Sequence, residues 1–403
     1  MNILAISLFY KPIWPGFGVR VPQLILDEAA RNGNSVTLFT GRIPEDVKVD
    51  QKHRYKKHIE KIGDGTIDIN RLWTPNVKHE GIFNRVFTYL LFMFQCFFKL
   101  LFSKDIDILI ALHPYPPFFI PLLYIAKWKK IKTFLMQGDL WPDNLLELGI
   151  IKNKSLYSII IKLSSWSFNI SDIVVVITDE LRRGTEKYLK DKSKIKVLEL
   201  ATDTALFSPQ DMHKDIHEGK FVALYNGIFS PNYDFNIILN SAELLKNEKI
   251  VFIIAGAGEL KNYIKDQIVK KNLDNVIMEE PLPKIEDVVK KINNADILLL
   301  GMNDNLQART AHPSKLFEFM SCGRPVVCSG KGATVDLLTE SNGGLLVNPN
   351  DSKSFSKKIK ELCDSETLRK TLGKNARDYI VKHHSLEVFG KNLSKILDDL
   401  KNL

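Results

Sequence analysis

The chain has 403 residues, of which 45% are hydrophobic and 26% charged, and its formal net charge is +9. That length exceeds one ordinary hydrophobic core, so two domains are the starting expectation, and the composition is that of a soluble globular protein, neither disordered nor fibrous. The positive balance points to an anionic partner, which is a nucleotide, a membrane surface or a nucleic acid.

Cys96, Cys322, Cys328 and Cys363 show neither metal-ligand spacing nor a paired framework, which excludes a disulfide scaffold and suggests a reducing compartment. The opening "MNILAISLFY" reads as a first β-strand and not as a targeting leader. It runs into "KPIWPGFGVRVPQLILDEAARNG", where Gly16 and Gly18 are expected in a loop before a helix and Arg20 at the helix start, within reach of an anion. Val21 stands where a dinucleotide fingerprint would carry its third glycine, so a plain turn stays open beside a ligand loop. Further strands in the first half are "SVTLFTG", "TIDINRLW", "DILIALH", "KTFLMQG", "IVVVITD" and "IKVLEL".

Between them lie three basic or aromatic stretches. "KHRYKKHIEK", 52–61, concentrates positive charge. "IFNRVFTYLLFMFQCFFKLLF", 82–102, is rich in phenylalanine, and its uncharged run from Val86 to Phe98 is too short to span a bilayer. "YPPFFIPLLYIAKWKKIK", 115–132, adds aromatics beside Lys127, Trp128, Lys129 and Lys130. Together they suggest a first domain lying on an anionic membrane surface, the alternative being a core helix with ordinary solvated lysines. Asp105 and Asp107 match a metal-binding D-x-D pair but precede their strand, at the end away from the expected crevice, so no metal site is expected. "QGDLWPD" ends a strand with Asp139, Trp141 and Asp143, a set suited to sugar hydroxyls and ring stacking or, equally, to a turn with a packing tryptophan.

The pattern restarts after the polar stretch 204–219, read as a linker, with "FVALYNG", "VFIIAG", "NVIMEE", "DILLLG", "PVVCSG" and "GLLVNP". Nearly continuous apolar strands alternating with helices imply parallel sheets covered on both faces. The expected fold class is therefore α/β, with two doubly wound Rossmann-like domains, 1–203 and 220–382, facing across a cleft. A final helix within 383–403 is expected to pack back on the first. Ligands in such sheets bind beyond the carboxyl ends of the strands. Asn226-Gly227, Gly256 and Gly258 lie there and imply a polar ligand approached by backbone. In "TAHPSKLFEFMSCGRPVVCSG" a helix is expected from Pro313 to about Cys322, with Lys315 in its first turn and Glu318 on the same face. Either the two form an ion pair on a solvated stripe, or the helix start and Lys315 hold an anion while Glu318 accepts hydroxyl hydrogen bonds.

Taken together, "YKPIWPGFG", "DLWPD", "ISDIVVVITDEL", "TDTALFSP", "AGAGEL", "NNADILLLG" and "HPSKLFEFMSCGRPVV" resemble the retaining family-4 glycosyltransferases of GT-B fold, within the O-antigen and capsule branch that includes fucosamine-transferase-like members. The resemblance covers nearly the whole chain. It implies a nucleotide-sugar donor, usually UDP-linked, held by the second domain, a polyprenyl-linked saccharide acceptor held by the first, no cofactor and no metal. Glu318 matches the second carboxylate of the family's E-x7-E motif, which binds the donor ribose; the first falls at Thr310. The family's arginine and lysine after the first strand of the second domain have no counterparts here, which leaves Lys315 and Arg309 to neutralise the diphosphate. Leu200-Ala201 stand where the family carries Asn-Gly. The resemblance thus implies Lys315, Glu318, Asp139 and Arg309 as catalytic. It assigns Gly16, Gly18, Asn226, Gly227, Gly256, Gly258, Ser314 and Thr310 to the donor, and Arg20 and Trp141 to the acceptor side. The expected location is the cytoplasmic face of the cell membrane, bound peripherally, with no nucleic-acid partner. A non-hydrolysing nucleotide-sugar 2-epimerase and a catalytically silent binding subunit share these features and remain as alternatives.

Overall fold

The computed structural model describes residues 1–12, 17–43, 57–75, 82–147, 149–211 and 219–403. The chain forms two compact units, one of Met1–Glu199 with Phe389–Leu403 and one of Leu200–Val388.

The first unit is built on an eight-stranded sheet of β1 (Asn2–Ser7), β2 (Ser35–Gly41), β3 (His58–Ile62), β4 (Gly65–Leu72), β5 (Ile108–His113), β6 (Lys132–Gln137), β7 (Ile173–Val176) and β8 (Ile195–Val197). Their spatial order is β3-β4-β2-β1-β5-β6-β7-β8. All neighbours are parallel except β3, which pairs antiparallel with β4 across the turn at Gly63. β1, β5 and β7 are buried along almost their whole length, as expected of strands covered on both faces. The order reverses between β1 and β5, which opens a crevice beyond their carboxyl ends.

Three expectations are corrected in this unit. Gly18 lies inside the helix Phe17–Arg31 and not in a preceding loop, while Gly16 falls outside the described residues. The basic stretch 52–61 is described only from Lys57 on, where it becomes the edge strand β3 and two of its charges are paired. Lys57 meets Asp68 at 2.8 Å, and Glu60 meets Lys11 at 2.8 Å. The turn signal "IGDG" and the alternation of β3 were present in the sequence, but the lysines masked them. Asp143 opens a short helix, and its carboxylate accepts from Tyr157 and Lys187, both at 2.8 Å, and from Tyr188; it holds structure and does not face the crevice.

The second unit carries β9 (Phe221–Asn226), β10 (Ile250–Ala255), β11 (Val276–Glu279), β12 (Ile297–Gly301), β13 (Val326–Ser329) and β14 (Gly344–Val347), all parallel. Their order, β11-β10-β9-β12-β13-β14, reverses between β9 and β12. Phe252, Phe317, Phe319 and Phe355 are fully buried around this sheet. Each such side chain contributes about 1.5–3 kcal/mol.

The supposed linker belongs largely to this unit. The backbone carbonyl of Phe207 accepts from Ser321 Oγ at 2.5 Å and from Arg377 at 2.8 Å, and Asn293 Oδ1 accepts from the Gln210 amide at 3.0 Å. The unit boundary therefore falls at Glu199, before the polar stretch, whose residues 212–218 lie outside the described ones. Phe389–Leu403 returns to the first unit, where Asn32 Nδ2 donates to the Gly390 carbonyl at 3.2 Å and Lys401 lies 3.8 Å from Asp107.

Candidate functional site

In the second unit the candidate residues gather at the carboxyl end of β9, beside the reversal of strand order. The helix formed by "SKLFEFMS" runs Ser314–Ser321, with Pro313 one position outside it as the cap. Lys315 and Glu318 are 8% and 6% exposed, so the solvated stripe is ruled out. Lys315 Nζ donates to the Tyr225 hydroxyl at 2.7 Å, and that hydroxyl donates onward to the Ile228 carbonyl at 2.6 Å. The same ammonium lies 3.9 Å from the Tyr233 ring centroid and 4.3 Å from that of Tyr225, so two aromatic faces cradle it. Burial lowers the Lys315 pKa from its ordinary value to about 7, against the upward pull of the Glu318 charge. An ammonium desolvated in this way gains strongly from an anion brought beside it.

Gly227 carries a φ of 148°, and a Cβ there would stand 2.3 Å from Lys315 Nζ. At Gly256, φ 146°, a Cβ would stand 1.8 Å from the Gly227 carbonyl oxygen. These glycines are required first because the loops after β9 and β10 and the lysine pack on one another; ligand approach is not the immediate reason. Gly258 likewise faces the Phe229 backbone, and Asn226 ends β9 half-buried.

The remaining predicted residues are placed differently. Arg309 Nε meets Asp304 at 2.5 Å, and Lys331 meets the same carboxylate at 2.7 Å, which holds the Asp304 pKa down to about 2. Arg309 is thus a partner in a half-exposed ion pair. Thr310 is buried, with its hydroxyl turned back to the Leu306 carbonyl at 2.9 Å. Ser314 is the first residue of its helix and half-buried.

In the first unit the corresponding crevice contains a cavity of about 160 Å³. His113, Tyr115, Gln137, Asp139, Trp141 and Pro22 are among its lining residues. Trp141 is stacked on Tyr115, ring centroids 5.0 Å apart and planes 11° apart. Asp139 and Trp141 line the same cavity; Arg20 sits one residue before Val21, which also lines it. Burial lowers the His113 pKa to about 4, so its ring is neutral at pH 7.

Tyr225 and Tyr233, and likewise His113 and Gln137, were not singled out from the sequence. The available signal was positional: Tyr225 precedes Asn226-Gly227, and His113 and Gln137 each end a strand, where ligand-facing residues concentrate.

Lys129 is also placed otherwise than expected. Its Nζ donates to the carbonyls of Leu100 at 3.1 Å and Ser103 at 2.5 Å, capping the helix Ile82–Phe102, while Lys127, Trp128 and Lys130 are exposed. Asp107, from the D-x-D pair, accepts from the Asn2 amide at 2.8 Å.

Residues 209–379 match the family described as glycosyl transferases group 1. The chain is 25% identical over 287 residues to the probable glycosyltransferase WbjE of Pseudomonas aeruginosa, covering 67% of this chain and 70% of that one. It is 21% identical over 242 residues to the capsular polysaccharide biosynthesis glycosyltransferase CapM of Staphylococcus aureus, covering 57% and 62%. Anabaena HepE, solved in complex with UDP-glucose, superposes with a TM-score of 0.71 at 13% identity, over 99% of this chain and 100% of that one. With two parallel-sheet Rossmann-like domains, the fold is that of the GT-B glycosyltransferases; the second unit carries a group 1 glycosyl transferase domain, and the chain is a glycosyltransferase.

Proposed function

We propose that the chain transfers a sugar from a UDP-sugar to a lipid-linked saccharide during the biosynthesis of a surface polysaccharide, with retention of anomeric configuration, as a family-4 enzyme of the O-antigen and capsule branch. The observation that carries the reading is the buried Lys315, set between two tyrosine rings at the β9 end, its ammonium donating to the Tyr225 hydroxyl. A cation kept out of water at a ligand-binding strand end is built to meet an anion, and a diphosphate supplies one. The similarity to CapM supports the polysaccharide setting, and that to HepE, solved with UDP-glucose, supports a UDP-linked donor.

In this reading Glu318 accepts hydrogen bonds from the donor ribose, and the amino end of the helix Ser314–Ser321 faces the diphosphate. The bond from the sugar's anomeric carbon to the diphosphate breaks, and its electron pair stays on the leaving oxygen. The acceptor hydroxyl oxygen bonds to that carbon from the same face, and its proton passes to the leaving oxygen. Lys315 stabilises the charge that grows on the diphosphate, which is where most of the catalytic effect arises.

The acceptor's lipid requires attachment to a membrane face. The helix Ile82–Phe102 turns Phe92, Cys96 and Leu100 into the first unit's core and leaves Phe83, Phe87, Leu90, Phe94, Phe98 and Phe102 exposed. Its segment Phe83–Phe102 is long and apolar enough to cross a bilayer, more than the uncharged run alone suggested, yet one face is held by the unit. We therefore place it in the interfacial plane of the cytoplasmic leaflet. Incubating the protein with UDP-sugars and a polyprenyl-diphosphate saccharide, then following the anomeric configuration of product by NMR, tests the reading. Retained configuration with UDP release is expected; conversion of the donor without acceptor would instead make the chain an epimerase.

A further inference from the structure

The segment 226–234, at and beyond the end of β9, carries no basic side chain, so the cation there comes from the helix Ser314–Ser321. A lysine is an ammonium on a flexible four-carbon stem, and desolvation drives it towards the neutral amine. To meet an anion at one point it must be held there and kept charged. The surroundings of Lys315 do both.

A phenol has one proton to donate and lone pairs to accept with. Tyr225 spends its proton on the Ile228 carbonyl, at 2.6 Å, so towards Lys315 Nζ, at 2.7 Å, it offers only a lone pair. An oxygen fixed in that role favours the ammonium over the amine, and it has no proton left for a phosphate. Tyr233 acts through its ring instead, whose centroid lies 3.9 Å from the ammonium and whose face is negative. Both rings are locked. They meet edge to face at 5.7 Å and 72°, and Tyr225 also meets Phe235 at 4.9 Å and 70°. The Tyr233 amide donates to the Ser230 carbonyl at 3.0 Å, and the Asp234 amide to the Gly301 carbonyl, at the end of β12, also at 3.0 Å. The Gly227 backbone closes a further side. The ionisable groups acting on Lys315 are thus Tyr225, Tyr233 and, from its own helix, the Glu318 carboxylate.

We propose that Tyr225, through its hydroxyl, and Tyr233, through its ring face, are positioning residues that keep Lys315 charged and fixed at the point where the diphosphate binds. The assignment rests on the reading of Lys315 as the diphosphate's partner; both tyrosines act through the lysine.

The test is a pH titration of Lys315 by NMR in protein carrying ¹³Cε-labelled lysine, the signal being identified by its loss in Lys315→Met. The wild type is expected to titrate at about 7. Tyr225→Phe, which keeps the ring and removes the acceptor, is expected to lower that midpoint by about one pH unit, a tenfold loss in preference for the charged form. A tyrosine that only packs the site predicts the opposite, because a looser site admits water and the midpoint climbs towards the ordinary 10.5. Tyr233→Leu is expected to lower the midpoint by more than Tyr233→Phe, since only leucine removes the ring face; this pair decides the matter if Tyr225→Phe fails to fold. Calorimetric titration of UDP carries the same pattern into binding. Tyr225→Phe is expected to weaken UDP by about twofold at pH 6 and about tenfold at pH 8, because the variant must take up a proton that the wild type more often holds already. A midpoint that stays or rises in Tyr225→Phe, equal effects of the two Tyr233 variants, or the same loss of UDP affinity at both pH values overturns the proposal. A wild type that binds UDP while the midpoints stay put keeps the diphosphate reading and removes the tyrosines from it. Midpoints that move as expected in a protein that does not bind UDP would keep the tyrosines as holders of the ammonium and sink the diphosphate reading.

Discussion

Lys315 is held at a cost to the fold that the ligand is expected to repay. Its pKa of about 7, against an ordinary 10.5, means that between those values the folded chain binds fewer protons than the unfolded one. Its contribution to stability therefore rises with pH through that window and is most unfavourable below pH 7. Lys315→Met, which keeps the length and removes the charge, should raise the thermal midpoint of the unliganded protein at pH 6.5, by about 2–4 °C for each kcal/mol recovered. The same variant should lose turnover, and a scanning calorimeter beside a transfer assay reads both; a lower midpoint would show that the ammonium stabilises the site unaided. UDP affinity should fall as pH rises from 7 to 9, with proton uptake on binding, because the bound diphosphate restores the ammonium. Gly227→Ala should imitate Lys315→Met in activity without its stability gain, since the new methyl meets Lys315 Nζ. The lysine and glutamate were legible from their spacing in "SKLFE"; their burial and the tyrosine cradle were not, because Tyr225 and Tyr233 lie roughly 80–90 positions away and only the tertiary fold brings them in.

At the scale of elements, the parallel strands could be read directly because burial on both faces makes them nearly continuous apolar runs. β3 escaped because it lies at an edge, where alternation with lysine and glutamate looks like a charged loop. The helix Ile82–Phe102 was legible as aromatic and membrane-like, but which of its phenylalanines are free is settled only by packing. If the exposed stripe enters a bilayer, the protein should pellet with anionic liposomes, be partly released by high salt and be fully released by detergent. Phe87→Ser with Phe94→Ser should weaken pelleting, and Lys127→Glu with Lys130→Glu should weaken it further at low salt. Lys129 is left untouched in this test because it caps the helix. Equal pelleting of wild type and both double variants would remove the membrane assignment and leave UDP binding unaffected.

For the whole molecule, two sheets with reversed strand order and a terminal segment returning to the first unit were foreshadowed by the restart of the strand pattern. The boundary was misplaced because Phe207 and Gln210 anchor through backbone contacts that composition does not reveal. Transfer is expected to proceed without a divalent metal, since Asp107 is committed to the Asn2 amide and Lys401, and activity should survive excess EDTA; full loss rescued by Mn²⁺ would contradict this. The central claim is that the second unit binds a nucleoside diphosphate through Lys315 and Glu318. Calorimetric titration of UDP into wild type, Lys315→Met and Glu318→Gln at pH 7 tests it most directly. The account predicts binding by the wild type, a loss of about tenfold or more in each variant, as expected for charge-assisted hydrogen bonds of about 1.5–3 kcal/mol, and proton uptake in the wild type alone or with Glu318→Gln. UDP bound equally by all three proteins would contradict it.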